Sequence, residues 1–466
     1  MAGPAGPTYA RTVPHHDLVV VGAGSGNTIV DHRFADLDVA FVEGTQFGGT
    51  CLNVGCIPTK MLAHTAEVAQ TVRSAARLGI DASVDRVRWT DIRDRVFSRL
   101  DEVSENGREY RERHGAVYLG TASFTGPRAV RVACHDGSTA EVTADRIVLA
   151  NGGRPVIPPP VATSGVPYRT SDTIMRIDEL PRHIAVIGGG YIAAEFAHVF
   201  GGLGCEVTMI EAVDELLSGM DETITEHFTD AMRERFDLRL GRTVEEVTGG
   251  DDGVRLVLDD GSVVEADTLL VAAGRTPNGD RMNLQAGGVD THDDGRIAVD
   301  DYGRTSAEGV WALGDISTAH PLKHVANHEA AVVADNLTAT GELRPVNHDV
   351  VPAAVFTSPQ VGTVGRTEQQ CRDERLSYAV AVHPYSDVAF GWAMEDRTGF
   401  CKIIAEIGTG RLLGAHLMGP QASTLVQQLV QAMALDFTAP RLADLQYWIH
   451  PALSEVVENA LRDLEL

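Results

Sequence analysis

The sequence predicts an α/β protein in which two similar domains, the second inserted into the first, precede a C-terminal α+β domain. Three observations predict this class. A chain of 466 residues is too long for a single core. A pattern of apolar strand, glycine turn and apolar helix occurs twice, and short strands with one strongly helical stretch follow after about Val350. We place a flexible leader at 1–16, the first domain at 17–155 and 275–348, the inserted domain at 156–274 and the C-terminal domain at 349–466.

The first repeated pattern is "HDLVVVGAGSGNTIVDHRF", in which an apolar strand meets Gly22-x-Gly24-x-x-Asn27 and a helix is predicted to follow. The next apolar stretch, "DVAFVE", ends on Glu43, 19 residues after Gly24. In a Rossmann-like fold such glycines let the backbone approach a pyrophosphate, and an acid about 20 residues later accepts hydrogen bonds from ribose hydroxyls. Asn27 replaces the third small residue, and we expect the neighbouring Gly26 to supply part of the missing room.

The second repeated pattern is "HIAVIGGGYIAAEFAHVF", with Gly188-x-Gly190-x-x-Ala193. Its following strand, "EVTMIE", ends on Glu211, 21 residues after Gly190. A single glycine turn of this kind is a weak signal, but strand, turn, helix, strand and acid recur here in the same order. The sequence therefore predicts two Rossmann-like dinucleotide-binding domains.

Further strand and glycine segments support this layout. "RIVLANGGRP" and "TLLVAAGRTPN" are apolar strands that end in small residues, and "GVWALGDIS" ends in Gly314-Asp315. We expect the chain to return to the first domain at that last strand, which makes the second domain an insertion. "VPAAVFTSPQVGTVG", "GFCKIIAEIGTGRLLGAHLMG" and a helical "STLVQQLVQAMALDF" predict a third domain of sheet and helices.

Composition and charge exclude several classes of function. The net charge is −26, from 65 acidic and 39 basic side chains, which disfavours nucleic acid as a partner. No apolar run approaches the roughly 18 residues that span a bilayer. The start, "MAGPAGPTYARTVPHH", lacks the apolar segment of a signal peptide. We predict a cytoplasmic protein that binds neither membrane nor nucleic acid.

Cys51 and Cys56 form the one close pair among six cysteines, in "GGTCLNVGCIPTK". In a straight helix their Cα atoms would be about 8–9 Å apart, whereas a disulfide needs less than about 7 Å. A bridge therefore requires a distorted backbone, and a strained bridge near a helix start is easier to reduce. No second cysteine or histidine cluster completes a zinc site, so no metal is predicted. Beside two dinucleotide sites, the pair indicates a redox-active disulfide.

"GGTCLNVGCIPTK" resembles the active-site segment of the class I flavoprotein disulfide reductases, and the similarity runs from Asp17 to the C-terminus. The resemblance implies FAD at the first motif and a nicotinamide cofactor at the second. It implies that Cys56 faces the flavin and Cys51 attacks the substrate. It also implies that Lys60 lies beside the flavin, paired with Glu195, and that Tyr191 is an aromatic lid over the nicotinamide site.

The resemblance also implies the cofactor-binding positions. Those for FAD are Gly22, Gly24, Asn27, Glu43, Thr50, Lys60, Gly152, Gly314 and Asp315, the last holding the ribityl–phosphate part. Those for the nicotinamide cofactor are Gly188, Gly190, Tyr191, Glu195, Glu211, Gly274 and Arg275.

"QYWIHPALSEVVENAL" places His450 before a proline that is well suited to a first helical turn, with Glu455 five residues on. Histidine titrates near pH 7 and can protonate a departing thiolate, and a carboxylate would orient it. In the family this pair is the acid–base group, and the histidine comes from the partner subunit. The resemblance therefore implies an obligate homodimer.

Four strings, "GAGSGN", "PLKHVANHEA", "GWAMED" and "YWIHPALSEVVENAL", resemble the branch of the family that reduces mycothione, the symmetrical disulfide of mycothiol. That branch implies NADPH, but Glu211 at the second acid position repels a 2′-phosphate, so we predict a preference for NADH. Dihydrolipoamide dehydrogenase is the alternative enzyme. A non-catalytic flavin-binding scaffold or complex component is the alternative of another class.

Overall fold

A computed structural model describes residues 13–250 and 252–466. Most of the predicted leader, residues 1–12, lies outside the described residues, and the first strand already begins at His15. Within the described residues no helix is long and apolar enough to cross a membrane.

The regular elements are numbered in chain order. The strands are β1 (His15–Val21), β2 (Val39–Glu43), β3 (Ala116–Gly126), β4 (Ala129–Cys134), β5 (Thr139–Leu149), β6 (Gly153–Pro155), β7 (Arg169–Thr170), β8 (His183–Ile187), β9 (Glu206–Glu211), β10 (Asp237–Leu240), β11 (Val244–Gly250), β12 (Gly253–Leu258), β13 (Val263–Ala266), β14 (Thr268–Val271), β15 (Arg275–Pro277), β16 (Val310–Ala312), β17 (Pro352–Val355), β18 (Val361–Gly365), β19 (Tyr378–Pro384), β20 (Phe400–Glu406) and β21 (Leu412–Met418). The helices are α1 (Gly49–Asn53), α2 (Cys56–Arg73), α3 (Trp89–His114), α4 (Pro159–Ser164), α5 (Tyr191–Leu203), α6 (Glu222–Arg233), α7 (Leu284–Gly287), α8 (Lys323–Thr338), α9 (Glu368–Asp373), α10 (Ala389–Met394), α11 (Ala422–Ala434), α12 (Ala439–Leu445) and α13 (Ser454–Arg462).

The chain divides into two compact units, and the first comprises 13–53, 101–154 and 276–346. Its parallel strands lie in the order β3, β2, β1, β5, β16, and β4 pairs antiparallel with the outer parts of β3 and β5. β16 joins β5 more than 160 positions later in the chain, which confirms that a segment is inserted here. β1 and β2 are buried on both faces, as parallel strands covered on both sides must be.

The predicted helix after the first glycine turn is wrong. Two short 3₁₀ turns, Ser25–Thr28 and His32–Phe34, stand in its place. The intervening Thr-Ile-Val run is a poor helix former, and Asp31 accepts a hydrogen bond from the Arg33 N–H, which starts a new turn instead. Arg111 of α3 fixes the segment by donating to the side chain and the carbonyl of Asn27, at 2.7 and 2.6 Å.

The second unit comprises 54–100, 155–275 and 347–466. It contains a parallel sheet in the order β10, β9, β8, β14, β7 and an antiparallel three-stranded sheet, β11–β12–β13. Here the predicted helix after the glycine turn is present as α5, which packs against α2. The two helices come close at Gly202 because this residue has no side chain. An added Cβ would lie 2.8 Å from Cβ of Ala66.

The same unit contains the predicted C-terminal sheet, an antiparallel arrangement in the order β17, β18, β21, β20, β19 covered by α11 and α13. A fully buried lysine, Lys402 of β20, lies within it. Its ammonium contacts Asp221 at 2.8 Å, Glu368 at 2.6 Å and the hydroxyl of Thr223 at 2.9 Å. The charge is therefore neutralised inside the fold, as a buried ammonium requires.

Candidate active site

The first glycine turn exposes backbone where the sequence predicts a pyrophosphate. Gly22 has φ +102°, and an added Cβ would lie 2.3 Å from the Ala150 carbonyl oxygen. Gly26 makes a similarly close approach, since an added Cβ would lie 2.9 Å from Val20 and Ala150 side-chain atoms. Gly26 thus supplies the packing that Asn27 does not.

Glu43 holds this turn through its buried carboxylate. One oxygen accepts the Ala23 N–H at 2.7 Å, and the other accepts the N–H and the hydroxyl of Thr45 at 2.7 and 2.9 Å. A carboxylate oxygen has two lone pairs, so the oxygen bound to Ala23 has one left for a ribose hydroxyl.

Sequence reasoning missed a cation at this turn. The ammonium of Lys323, at the start of α8, contacts the Ser25 hydroxyl at 2.8 Å. The chain has only three lysines, Lys60, Lys323 and Lys402, against 36 arginines. Because lysine is so rare in this chain, each of the three could have been singled out in the sequence. In the fold each of them has a polar partner.

The residues at the first turn fit FAD. In the described part of the chain the buried Oδ1 of Asn151, beside Gly22, has no hydrogen-bond partner. With the lysine ammonium, the open glycine backbone and the Glu43 carboxylate, it offers complementary groups to a nucleotide with a pyrophosphate and ribose hydroxyls.

Gly314 and Asp315 lie in a short 3₁₀ turn directly after β16. The N–H of Gly314 donates to the buried carboxylate of Glu329 at 2.6 Å, a contact that the sequence did not predict. Glu329 therefore fixes the turn that carries Asp315.

The second glycine turn has the same construction. Gly188 has φ +121°, and an added Cβ would lie 2.3 Å from the Ala272 carbonyl oxygen. Gly190 precedes α5 as its N-cap. The carboxylate of Glu211 lies against Gly189, where an added Cβ would be 2.8 Å from its Oε2. This places a carboxylate at the turn predicted to hold a ribose of the nicotinamide cofactor.

Cys51 lies in α1, and Cys56 is the first residue of α2; both are partly exposed. The helix breaks between Asn53 and Cys56, where Gly55 takes a non-helical conformation. This interruption confirms the predicted distortion of the backbone. A thiolate at Cys56 is favoured by its position at a helix N-terminus.

Lys60 and Glu195 form the predicted ion pair. The ammonium lies 2.8 and 2.7 Å from the two oxygens of Glu195, whose side chain is 5% exposed. The Glu195 oxygen at 2.8 Å also accepts the Phe356 N–H at 3.0 Å. The nearly buried carboxylate is thus contacted by both an ammonium and a backbone N–H, which offsets the cost of its burial.

A buried histidine adds no charge near this pair. His198 lies one turn after Glu195 on α5, and burial, assisted by the charge of Arg235, lowers its pKa to about 4. The imidazole is therefore neutral at pH 7.

The remaining predicted nucleotide positions lie as follows. Tyr191 is the first residue of α5 and is 38% exposed. Arg275 lies 3.6 Å from Asp172. Gly152 and Gly274 have positive φ values, and Thr50 is exposed.

His450 and Glu455 form a pair in the C-terminal segment. Nδ1 of His450 lies 2.7 Å from Oε1 of Glu455, whose other oxygen accepts the Ala452 N–H at 3.2 Å. The helix begins at Ser454 and not at Pro451 as predicted. Glu455, in the first turn of this helix, accepts the Ala452 N–H and so holds the preceding residues in a separate turn. The His450 side chain is 72% exposed, so its Nε2 face is open to another molecule.

Two family models match the chain. The pyridine nucleotide-disulphide oxidoreductase model covers residues 16–332, and the dimerisation-domain model of the same family covers residues 351–461. The chain belongs to this family. The match confirms the predicted α/β fold and assigns FAD and a reduced pyridine nucleotide as cofactors of a disulfide-reducing oxidoreductase. The dimerisation domain supports a homodimer.

Individual proteins show the same relationship. Mycothione reductase from Mycobacterium tuberculosis is 51% identical over 96% of this chain and 99% of its own length. Glutathione reductase from Burkholderia cepacia is 33% identical over 94% and 97%. The Cu(II) complex of the flavoprotein disulfide reductase RclA from Escherichia coli superimposes with a TM-score of 0.85 at 26% identity, over 97% of this chain and 99% of that one.

Proposed function

We propose that this protein reduces mycothione to two molecules of mycothiol with electrons from a reduced pyridine nucleotide. The observation that carries the substrate is the 51% identity, over nearly the whole chain, to a protein named mycothione reductase. The paired His450 and Glu455 and the interrupted helix at Cys51 and Cys56 support the chemistry.

In the proposed cycle the Cys51 thiolate attacks one sulfur of the substrate disulfide. A mixed disulfide forms, and His450 gives a proton to the departing thiolate. The Cys56 thiolate then attacks the Cys51 sulfur, which releases the second thiol and re-forms the Cys51–Cys56 disulfide. FAD held at the first glycine turn would supply the two-electron transfer from the nicotinamide to that disulfide. The hydride of NADH brings two electrons and one proton, and one further proton comes from solvent. These two protons account for the two thiols released and leave His450 protonated for the next cycle.

A comparison of substrates tests this function. Mycothione, oxidised glutathione and lipoamide are assayed side by side with the FAD-loaded enzyme, and we expect kcat/KM for mycothione to exceed both others by at least about 100-fold. A higher value with lipoamide would favour the alternative, dihydrolipoamide dehydrogenase. No turnover of any disulfide would favour a flavin-binding scaffold.

We further propose that NADH is the preferred donor. The Glu211 carboxylate lies at the turn and accepts the Val213 N–H at 3.2 Å. Arg242 lies near this turn, since its N–H donates to the Glu211 carbonyl, but the Arg242 guanidinium is paired with Asp260 at 2.8 Å. A free 2′-hydroxyl can donate to Glu211, whereas a 2′-phosphate is repelled.

Glu211→Gln should reduce the preference for NADH over NADPH by about 10- to 100-fold in kcat/KM, since a hydrogen bond to a charged group contributes about 1.5–3 kcal/mol. Glu206→Gln, at the exposed start of the same strand, is the matched control and should leave the ratio unchanged. If the wild-type enzyme is more efficient with NADPH, the Glu211 argument is wrong.

We also propose that His450 serves the active site of the partner subunit in an obligate homodimer. The segment before His450 supports this, because Tyr447 and Ile449 are 103% and 74% exposed. Large apolar side chains exposed to this extent are typical of a surface that a partner covers.

A cytoplasmic location fits a disulfide that must be opened in each cycle, since that compartment keeps thiols reduced. The three-domain division predicted above stays a prediction.

A further inference from the structure

Phe356 directly follows β17 in the C-terminal sheet and contacts both members of the Lys60–Glu195 pair. Its N–H donates to Glu195, as described above. Its ring lies on the other partner, with the ring centroid 4.7 Å from the Lys60 ammonium nitrogen. One residue thus touches the carboxylate with its backbone and the ammonium with its side chain.

The ring restricts an otherwise mobile cation. A lysine head has three N–H donors on a flexible four-carbon stem, and the Lys60 side chain is 34% exposed. Two donors point to the Glu195 oxygens, and the negative face of the Phe356 ring attracts the ammonium from another side. One donor direction is then left for a further acceptor.

We propose that Phe356 is a positioning residue that holds the Lys60 ammonium through a cation–π contact, so that its remaining N–H is presented to the flavin. The proposal deepens the proposed function and rests on it for the role of Lys60. The electrostatic contact itself does not depend on that role. A leucine at position 356 keeps the backbone donor to Glu195 and removes only the ring.

The scarcity of lysine allows the contact to be observed directly in the FAD-loaded enzyme. Labelling lysine with ¹³C at Cε gives signals from three side chains, and Lys60→Arg identifies that of Lys60. We expect the Lys60 methylene protons to be shifted upfield by the ring in the wild type and in Phe356→Tyr, and not in Phe356→Leu. An unchanged Lys60 signal in Phe356→Leu overturns the proposal.

A second measurement follows the rate of flavin reduction by NADH under anaerobic conditions. Phe356→Leu should slow this step about fivefold with little change in the KM for NADH, and Phe356→Tyr should restore it. If the leucine variant does not fold, phenylalanine analogues with one, two and three ring fluorines replace it, since they keep the shape and weaken the negative face in steps. A stepwise fall in rate supports the cation–π contact, and a constant rate overturns it.

The two proposals fail separately. If the wild-type enzyme reduces none of the disulfides tested, the proposed function fails, while the Lys60 signal still decides the contact. If turnover is normal and the Lys60 signal does not respond to the loss of the ring, the Phe356 proposal alone fails.

Discussion

His450→Gln should lower kcat for disulfide reduction by about 10²- to 10⁴-fold, the usual contribution of a positioned acid–base group. Flavin reduction by NADH should proceed at the wild-type rate, because that half-reaction releases no substrate thiolate. Stopped-flow spectroscopy of the first half-reaction and steady-state assays of the second separate the two effects. Glu455→Gln should give a smaller loss, since it removes the carboxylate that orients the ring at 2.7 Å and leaves the imidazole.

His383→Gln is a matched control for this prediction. His383 also pairs with a carboxylate, Asp463, at 2.8 Å, but its side chain is only 14% exposed and it has no role in the proposed cycle. We expect less than a twofold change in kcat for this variant. Equal losses in the two histidine variants would show a structural effect and contradict the acid–base assignment.

Mixed dimers test whether His450 acts across the interface. Homodimers of either the Cys51→Ser or the His450→Gln variant should be nearly inactive, but in a hybrid dimer one site regains both native groups if the histidine comes from the partner. Random reassociation should then restore about a quarter of the wild-type activity. If His450 acts within its own chain, no hybrid site is intact and the mixture stays inactive.

Lys402→Met should lower the free energy of unfolding by about 3–5 kcal/mol, because it leaves the buried Asp221 carboxylate without its cation. Lys402 and Asp221 are both fully buried, 2.8 Å apart. Burial alone would raise the pKa of Asp221, but His416, the Glu368 N–H and Lys402 together hold that pKa below 3.8. The contribution of Asp221 is therefore complete above pH 3.8 and is lost as the pH falls through its lowered pKa, so denaturation is measured at pH 7.

Asp221→Asn combined with Lys402→Met is the control for this prediction. The double variant removes one charge of each sign and should recover part of the lost stability, because pairs in contact are not additive. Protein and FAD concentrations must be equal in all samples, since bound cofactor and dimerisation both raise apparent stability. A loss below about 1 kcal/mol for Lys402→Met would show that the buried pair is not a stabilising contact.

Much of the candidate site could be predicted from local patterns. Glu43, Glu211 and the two glycine turns follow from the spacing of a strand–turn–helix–strand unit, and His450 with Glu455 lies within one short stretch of chain. The absence of a helix after Gly24 was not predicted. The prediction gave more weight to the apolar content of that stretch than to its poor helix-forming residues.

Other residues depended on contacts between distant parts of the chain. Lys323 meets Ser25 from 298 positions away, and Phe356 meets Glu195 from 161 positions away. Neither has a spacing or neighbouring motif that marks it. In the sequence Lys402 is a single cation in an apolar strand, and only the folded structure brings the carboxylates of Asp221 and Glu368 to it.

By itself the sequence determined the α/β class and identified the two glycine turns, the Cys51–Cys56 pair and the His450–Glu455 pair as candidates, because each depends on backbone geometry within about 25 residues. The tertiary structure alone decided which side chains support those groups, namely the ring of Phe356 on Lys60 and the ammonium of Lys323 at the glycine turn. The physical reason is that such contacts depend on which elements pack together, and side-chain chemistry in a linear sequence does not specify its distant partner.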